Sequence, residues 1–200
     1  MKKLVLSLFA IMLSVNAQAI SDKQFTLKEV EDYMSSLKSF SADFEQIVPG
    51  EEFSKGKLYI KKPGKFLWKY KVPTPVKIVS NGGLVYFVDE ETDQVTQVPN
   101  TGILFSILSK EDVSFNTKYL KLQNLTQTNR RVNLDLVATV DDNEVPVTLI
   151  FRKTGGANLS LMKIISQNQL DQMVVVSLFG HDSNATINND IFKVDIEDEF

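Results

Sequence analysis

The reactive side chains of this sequence narrow its possible chemistry at once. Its 200 residues contain one histidine, His181, and no cysteine, which excludes a multi-histidine metal centre, a thiol nucleophile and a disulfide framework. A hydrolase would have to build on His181, yet Phe179-Gly180-His181-Asp182 reads as a turn, not as one wall of a pocket. Neither GxSxG nor a phosphate-cradling glycine loop occurs. The acidic runs Asp89-Glu90-Glu91-Thr92-Asp93 and Glu197-Asp198-Glu199 lack the ligand spacing of a calcium loop and read as solvated charge. No catalytic residue, metal or cofactor is expected.

What remains unusual is aromatic. Residues 61–75, KKPGKFLWKYKVPTP, read with period two, place Phe66, Trp68 and Tyr70 on one face and Lys65, Leu67, Lys69 and Lys71 on the other. Such a row either fills the core of a closed small barrel or lines a cavity for an apolar guest in an open one, and periodicity alone does not separate the two. The lysine fringe is expected to face solvent. Because the chain carries a formal charge of −3, general binding of nucleic acid or anionic lipid is not expected.

These side chains must be positioned by an exported domain. Lys2 and Lys3 precede an apolar run from Leu4 to Val15 that ends in Ala17-Gln18-Ala19, the layout of a secretory signal peptide over residues 1–19. The run is too short for a membrane span, which needs about 20 apolar residues. Residues 20–200 then form a single domain, and removal of Lys2 and Lys3 leaves 20 basic against 25 acidic side chains, a charge near −5. The absence of cysteine also removes any lipidation site of the bacterial lipoprotein kind, so a soluble periplasmic product is expected.

Thr26-Leu27-Lys28-Glu29 is a capping box, and Leu27, Val30, Met34 and Leu37 recur at helical spacing, predicting a helix over 27–38. The period then changes: Phe40, Ala42 and Phe44 alternate with polar residues, predicting a strand. Further strands are predicted at 54–61, 65–71, 76–80, 84–88, 94–98, 118–125, 131–140, 145–152, 160–167 and 171–179. Between them lie Pro63-Gly64, Asn81-Gly82-Gly83, Asp141-Asp142-Asn143 and similar turns. Residues 101–109 are apolar nearly all round and read as a short helix that core or ligand must cover. The fold class is mainly β (α+β), an antiparallel sheet curved into a barrel or half-barrel.

Taken in order, Phe40-Ser41-Ala42-Asp43-Phe44-Glu45-Gln46, Gly56-Lys57-Leu58-Tyr59-Ile60-Lys61-Lys62-Pro63-Gly64-Lys65-Phe66-Leu67-Trp68 and Ile78-Val79-Ser80-Asn81-Gly82 resemble the outer-membrane lipoprotein carrier proteins of the LolA type. The likeness is strongest over residues 26–110 and looser beyond, apart from Ile191-Phe192 before a last strand. It implies an incomplete antiparallel β-barrel with a helical lid enclosing an apolar cavity. It also implies a non-enzymatic chaperone, here taken as a monomer. Its partners would be triacylated lipoproteins, an inner-membrane ABC-type lipoprotein-releasing complex and an outer-membrane receptor lipoprotein.

Carried over to this chain, the resemblance implies that Phe40, Phe44, Phe66, Trp68 and Tyr70, with Leu27, Val30, Met34 and Leu37 of the helix, line the acyl-chain cavity. It implies a lid of Ile103, Leu104, Phe105, Ile107 and Leu108. Where the family has an arginine tied to lid closure, this chain has Lys62, an ammonium in place of a planar five-donor fork. A periplasmic lipid or acyl-ligand binding or sensor module of the same fold is the alternative reading.

Overall fold

In the computed structural model, which describes residues 23–73, 75–98, 107–140, 142–156, 158–168 and 170–194, the change of period after Leu37 is a change of element. Helix α1 runs Leu27–Ser36. Thr26 Oγ1 accepts from the Glu29 amide at 3.3 Å while Glu29 Oε2 accepts from the Thr26 amide at 2.8 Å, so two otherwise orphan amides at the helix start are each satisfied by the other residue's side-chain oxygen. A bond from Lys23 first, then those from Thr26, pull the Glu29 carboxyl down to about 2. The helix stops two residues before the predicted end, because Leu37 turns to ψ 77° and Ser39 already pairs in the sheet.

Eleven strands follow: β1 Ser39–Ile47, β2 Ser54–Lys61, β3 Lys65–Val72, β4 Val76–Asn81, β5 Val85–Asp89, β6 Gln94–Val98, β7 Leu120–Gln127, β8 Arg131–Val140, β9 Asn143–Lys153, β10 Leu159–Gln167 and β11 Met173–Asp182. They form one sheet in the order β6-β5-β4-β3-β2-β1-β11-β10-β9-β8-β7. Each hairpin pairs neighbours in sequence, and the antiparallel β1·β11 ladder, with Phe44 opposite Leu178, joins the two halves. β6 and β7 are the two edges, so the sheet is open, consistent with an incomplete barrel.

His181 lies inside β11, which corrects the turn expected from Phe179-Gly180-His181-Asp182. The register with β1 jumps from Asp43↔Phe179 to Ser41↔Asp182, and Gly180 takes φ 59°. The glycine therefore marks a bulge that inserts extra residues into a continuing strand, a local signal that resembles a turn in sequence.

The main apolar cluster gathers α1 and one face of the sheet, from Leu58 of β2 and Trp68 of β3 to Leu134 of β8 and Phe151 of β9. A second, smaller cluster sits on the opposite face. There Leu67 and Val79 are covered by Ala185, Ile187 and Phe192 of the segment after β11, whose 3-10 turn spans Asn189–Phe192. The lysine face of β3 is thus only partly solvated: Lys71 is exposed, but Leu67 is 5% exposed. The expectation of a solvent face failed because the covering segment is more than a hundred residues away in sequence. The strand expected after Phe192 lies outside the described residues, as does most of the helix expected at 101–109.

Candidate functional site

Register fixes the inner rows. Phe44, Gly56 and Tyr70 lie side by side on β1, β2 and β3; Ala42, Leu58, Trp68, Ile78 and Phe87 form the next row, and Phe40, Ile60, Phe66, Ser80 and Val85 the one after. The glycine in the first row has a steric cause. A Cβ on Gly56 would stand 1.9 Å from the Lys69 carbonyl oxygen and 2.9 Å from Phe44 Cε1. Only hydrogen fits, and the Phe44 ring lies against that gap, with its centroid 4.9 Å from Trp68 and 5.0 Å from Tyr70, the latter edge-on. Phe44, Gly56, Trp68 and Tyr70 are one packing unit.

The polar atoms of this unit are few. Tyr70 donates to Gln46 Oε1 at 3.0 Å, and burial pushes its phenol up to about 12. The Trp68 indole N–H lies near that hydroxyl without reaching hydrogen-bond geometry, and is a buried donor without a partner. The packed unit offers aromatic surface and one buried donor, with no nucleophile or base among its side chains. His181 fits the same pattern. Its ring packs 5.7 Å from Phe40, its Nε2 lies 2.7 Å from the Leu161 carbonyl oxygen and its Nδ1 3.4 Å from Ser160 Oγ, so both nitrogens are occupied structurally.

Helix α1 covers these rows with the stripe expected of it: Val30, Met34 and Leu37 are buried in the main cluster and Leu27 packs against it. The nine apolar residues assigned to the interior therefore converge in or against one cluster, Tyr70 being half-buried at its margin. Ile107 and Leu108 join it as well, 0% and 5% exposed and helical. Ile103, Leu104 and Phe105 lie outside the described residues.

Lys62 is placed where the cover meets the barrel. From the β2–β3 hairpin its Nζ donates to the Met34 carbonyl oxygen at 2.5 Å, in the last turn of α1, which has no basic residue of its own. The bond satisfies a C-terminal helix carbonyl and puts positive charge at the negative end of the helix. The same hairpin holds the other covering piece, since the Gly64 amide donates to the Ser109 carbonyl at 2.9 Å. Burial chiefly, then repulsion from Lys38, lowers the Lys62 ammonium to about 8.

Sequence reasoning missed the other side of α1. Glu31 Oε1 accepts from the Phe115 amide at 2.7 Å and Ser114 Oγ at 3.1 Å, and Ser35 Oγ accepts from the Val113 amide at 2.9 Å. Gln127 of β7 brackets the Phe25 backbone, and Tyr33 meets Phe151 edge-on at 6.1 Å. A glutamate and a serine on the polar side of a helix carry no local signal of partners some eighty residues away.

Residues 35–195 match the family model described as outer membrane lipoprotein carrier protein LolA. The chain belongs to this family. It is 25% identical to an outer-membrane lipoprotein carrier protein of Nitrosomonas europaea over 194 residues, covering 93% of this chain and 92% of that one. It is 34% identical to the carrier of Glaesserella parasuis over 124 residues, 56% of this chain and 58% of the relative, and 38% identical to that of Methylococcus capsulatus over 85 residues, 40% and 39%. The LolA-type motifs named above thus map onto a physical unit: the spacing of Phe44, Gly56, Trp68 and Tyr70 puts three rings and a gap for them on adjacent strands.

Proposed function

We propose that this chain is a periplasmic chaperone that receives triacylated lipoproteins from an inner-membrane ABC-type releasing complex and delivers them to an outer-membrane receptor lipoprotein. The acyl chains would sit between the inner rows Phe40–Phe66, Ala42–Trp68 and Phe44–Tyr70 and the cover formed by α1 with Ile107 and Leu108. The observation that carries this is the joint placement of the aromatic unit, the α1 stripe and Ile107 and Leu108 in one apolar cluster, with Lys62 and Gly64 tying both covering pieces to a single hairpin.

Aromatic and aliphatic surface suits a fatty acyl guest, which asks for area and few directional bonds. ATP would act at the donor complex, and the signal peptide would deliver the chain to the periplasm. Incubating the processed protein with energised inner-membrane vesicles tests the proposal: it should leave as a soluble complex with a triacylated lipoprotein. If a donor complex proven competent with another carrier releases nothing to it, the transport role falls and a lipid-binding or sensor module of the same fold takes its place.

A further inference from the structure

The outward face of β2–β4 is basic although the chain is acidic. Lys57, Lys69 and Lys77 stand directly opposite one another on three adjacent strands, and Lys61 opposes Lys65 in a second row. Like charges so placed repel and call for counter-charge. Glu90 lends one carboxylate to two of them, 3.0 Å from Lys69 and 3.4 Å from Lys77. Asp43 opposes Lys57 across the β1·β2 ladder, and Lys193 pairs with Asp190 at 2.6 Å. Lys61 and Lys65 donate instead to neutral oxygens, the Ile187 carbonyl and Asn189 Oδ1. Six lysines thus meet three carboxylates, Asp43, Glu90 and Asp190, an excess of three positive charges.

Between this face and the covering segment after β11 runs a groove of about 420 Å³. Its two sides differ in chemistry. The sheet contributes Lys69 and Lys77 above Tyr59 and Leu67, and Lys57 continues the lysine row beyond the groove's end. The covering segment contributes Ile187 and Ile191, with the Asp190–Lys193 pair beside them.

A fitting occupant turns negative charge towards the sheet and apolar surface towards the covering segment. An extended peptide does this when acidic and apolar residues alternate, because successive side chains point to opposite sides. The Lys57–Lys69–Lys77 row crosses two interstrand gaps, roughly 10 Å, which about three residues of extended chain span. Two acids separated by one apolar residue therefore reach along the whole row. A bilayer or a nucleic acid matches less well, since each presents charge over an area wider than this face and would also meet the rest of a chain of formal charge −3. Screening beyond about 8 Å confines the attraction to a segment in direct contact.

We propose that this groove docks an extended segment of a separate protein in which acidic and apolar residues alternate. Its carboxylates lie against the Lys57–Lys69–Lys77 row and supply the counter-charge that Glu90 alone does not, while its apolar side chains lie against Ile187 and Ile191. The groove is on the sheet face opposite the main apolar cluster, so docking leaves the interior unobstructed and requires no acylated cargo.

Fluorescence anisotropy of a short peptide of alternating glutamate and leucine, carrying a neutral dye, tests this on the full processed chain at low ionic strength. The peptide should bind saturably, and high salt should weaken it. Lys57→Gln combined with Lys69→Gln should weaken binding about tenfold, whereas Lys118→Gln combined with Lys121→Gln, at the far edge of the sheet, should leave it unchanged. Ile191→Ala, which leaves the strands intact, should weaken it about fivefold and carries the test alone if the lysine pair does not fold. Absence of binding would overturn the proposal, as would equal binding of a peptide with its glutamates and leucines in two separate blocks. Binding of phosphatidylglycerol vesicles without the peptide would make the face a lipid surface, and a dimer that excludes the peptide would make it a self-contact; either result overturns the proposal.

Discussion

Replacing Lys62 by leucine separates what this residue does for the fold from what it does for the cover. The ammonium is held at about 8 against an ordinary 10.5. At about 1.36 kcal/mol per unit such a shift amounts to ~3.4 kcal/mol against the charged form, and solvent at this half-buried site reduces that to roughly 1–2 kcal/mol. On the other side of the balance, the charge-assisted bond to the Met34 carbonyl is worth about 1.5–3 kcal/mol. The two nearly cancel, so Lys62→Leu should change the unfolding free energy at pH 7 by no more than about 1 kcal/mol.

The pH dependence is the sharper signature. The unfolded chain keeps the Lys62 proton up to 10.5, whereas the folded chain releases it near 8, so the unfolded state binds more protons between those values. The native protein should therefore gain stability relative to Lys62→Leu as pH rises from about 8 towards 10.5, and the gap should be flat below 8. Tyr70 titrates in both proteins and cancels from the difference. Urea unfolding followed by Trp68 fluorescence at pH 7 and 9.5 measures both quantities. A loss above about 3 kcal/mol at pH 7 would refute the balance of terms, and a pH-independent gap would refute the burial assignment. On the carrier reading the same substitution should change delivery of lipoprotein to a receptor more than it changes stability; unaltered transfer would remove Lys62 from control of the cover.

Four further outcomes follow from the geometry. Gly56→Ala must move the Lys69 backbone, since the new Cβ would stand 1.9 Å from its oxygen; a loss of about 3 kcal/mol or more is expected, lowering Tm by roughly 6–12 °C in a scan, and an unchanged Tm would disprove the close approach. Thr26→Ala removes one half of the capping box and should cost about 1 kcal/mol in chemical unfolding. Glu29, lowered to about 2, contributes stability that is fully present above 4.5 and is lost as pH falls through about 2, which an NMR titration of its carboxyl would show; an ordinary midpoint would contradict the Lys23 and Thr26 bonds. Trp68 emission should shift with an acylated peptide and not with its unacylated form, and equal responses would exclude the aromatic unit from acyl binding.

The strands were legible because each carries period-two alternation between recognisable turns, and β2 and β8 fall where the sequence places them. The interior stripe of α1 was equally plain, since Val30, Met34 and Leu37 all end buried. Three features were hidden for distinct physical reasons. Gly180 has the composition of a turn but the geometry of a bulge, which only the partner strand reveals. Leu67 sits among lysines yet is buried, because its cover arrives from Ala185, Ile187 and Phe192. The links from Glu31 and Ser35 to residues 113–115 join side chains and amides brought together by the fold alone. Lys62 stands out in the sequence as a departure from a family pattern, but its contact with the end of α1 is set by the fold that brings the β2–β3 hairpin to Met34.

The filled interior bears on how a carrier of this kind could release what it binds. Three acyl chains contain on the order of 40 methylenes, and complete burial at about 0.8 kcal/mol each would exceed 30 kcal/mol. Non-covalent affinities stop near about 20 kcal/mol, and a carrier must remain well below even that. Here Phe40, Phe44, Met34 and Leu58 are already 0–2% exposed against one another, so an acyl guest would gain its contacts by displacing native ones, among them the Phe44–Trp68 and Phe44–Tyr70 pairs, each worth about 0.5–1.5 kcal/mol beyond area. On the carrier reading the protein's own core would then compete with the cargo and lower the net affinity. On the carrier reading, release would not need a large external force: if an acyl guest displaces the aromatic unit, its loss would restore that unit together with the Lys62–Met34 and Gly64–Ser109 bonds. On this account, weakening the empty core by Phe44→Leu should slow delivery while tightening retention of cargo, measured as a longer lifetime of the loaded complex; a shorter lifetime would mean that Phe44 serves as a contact for the guest and not as its competitor.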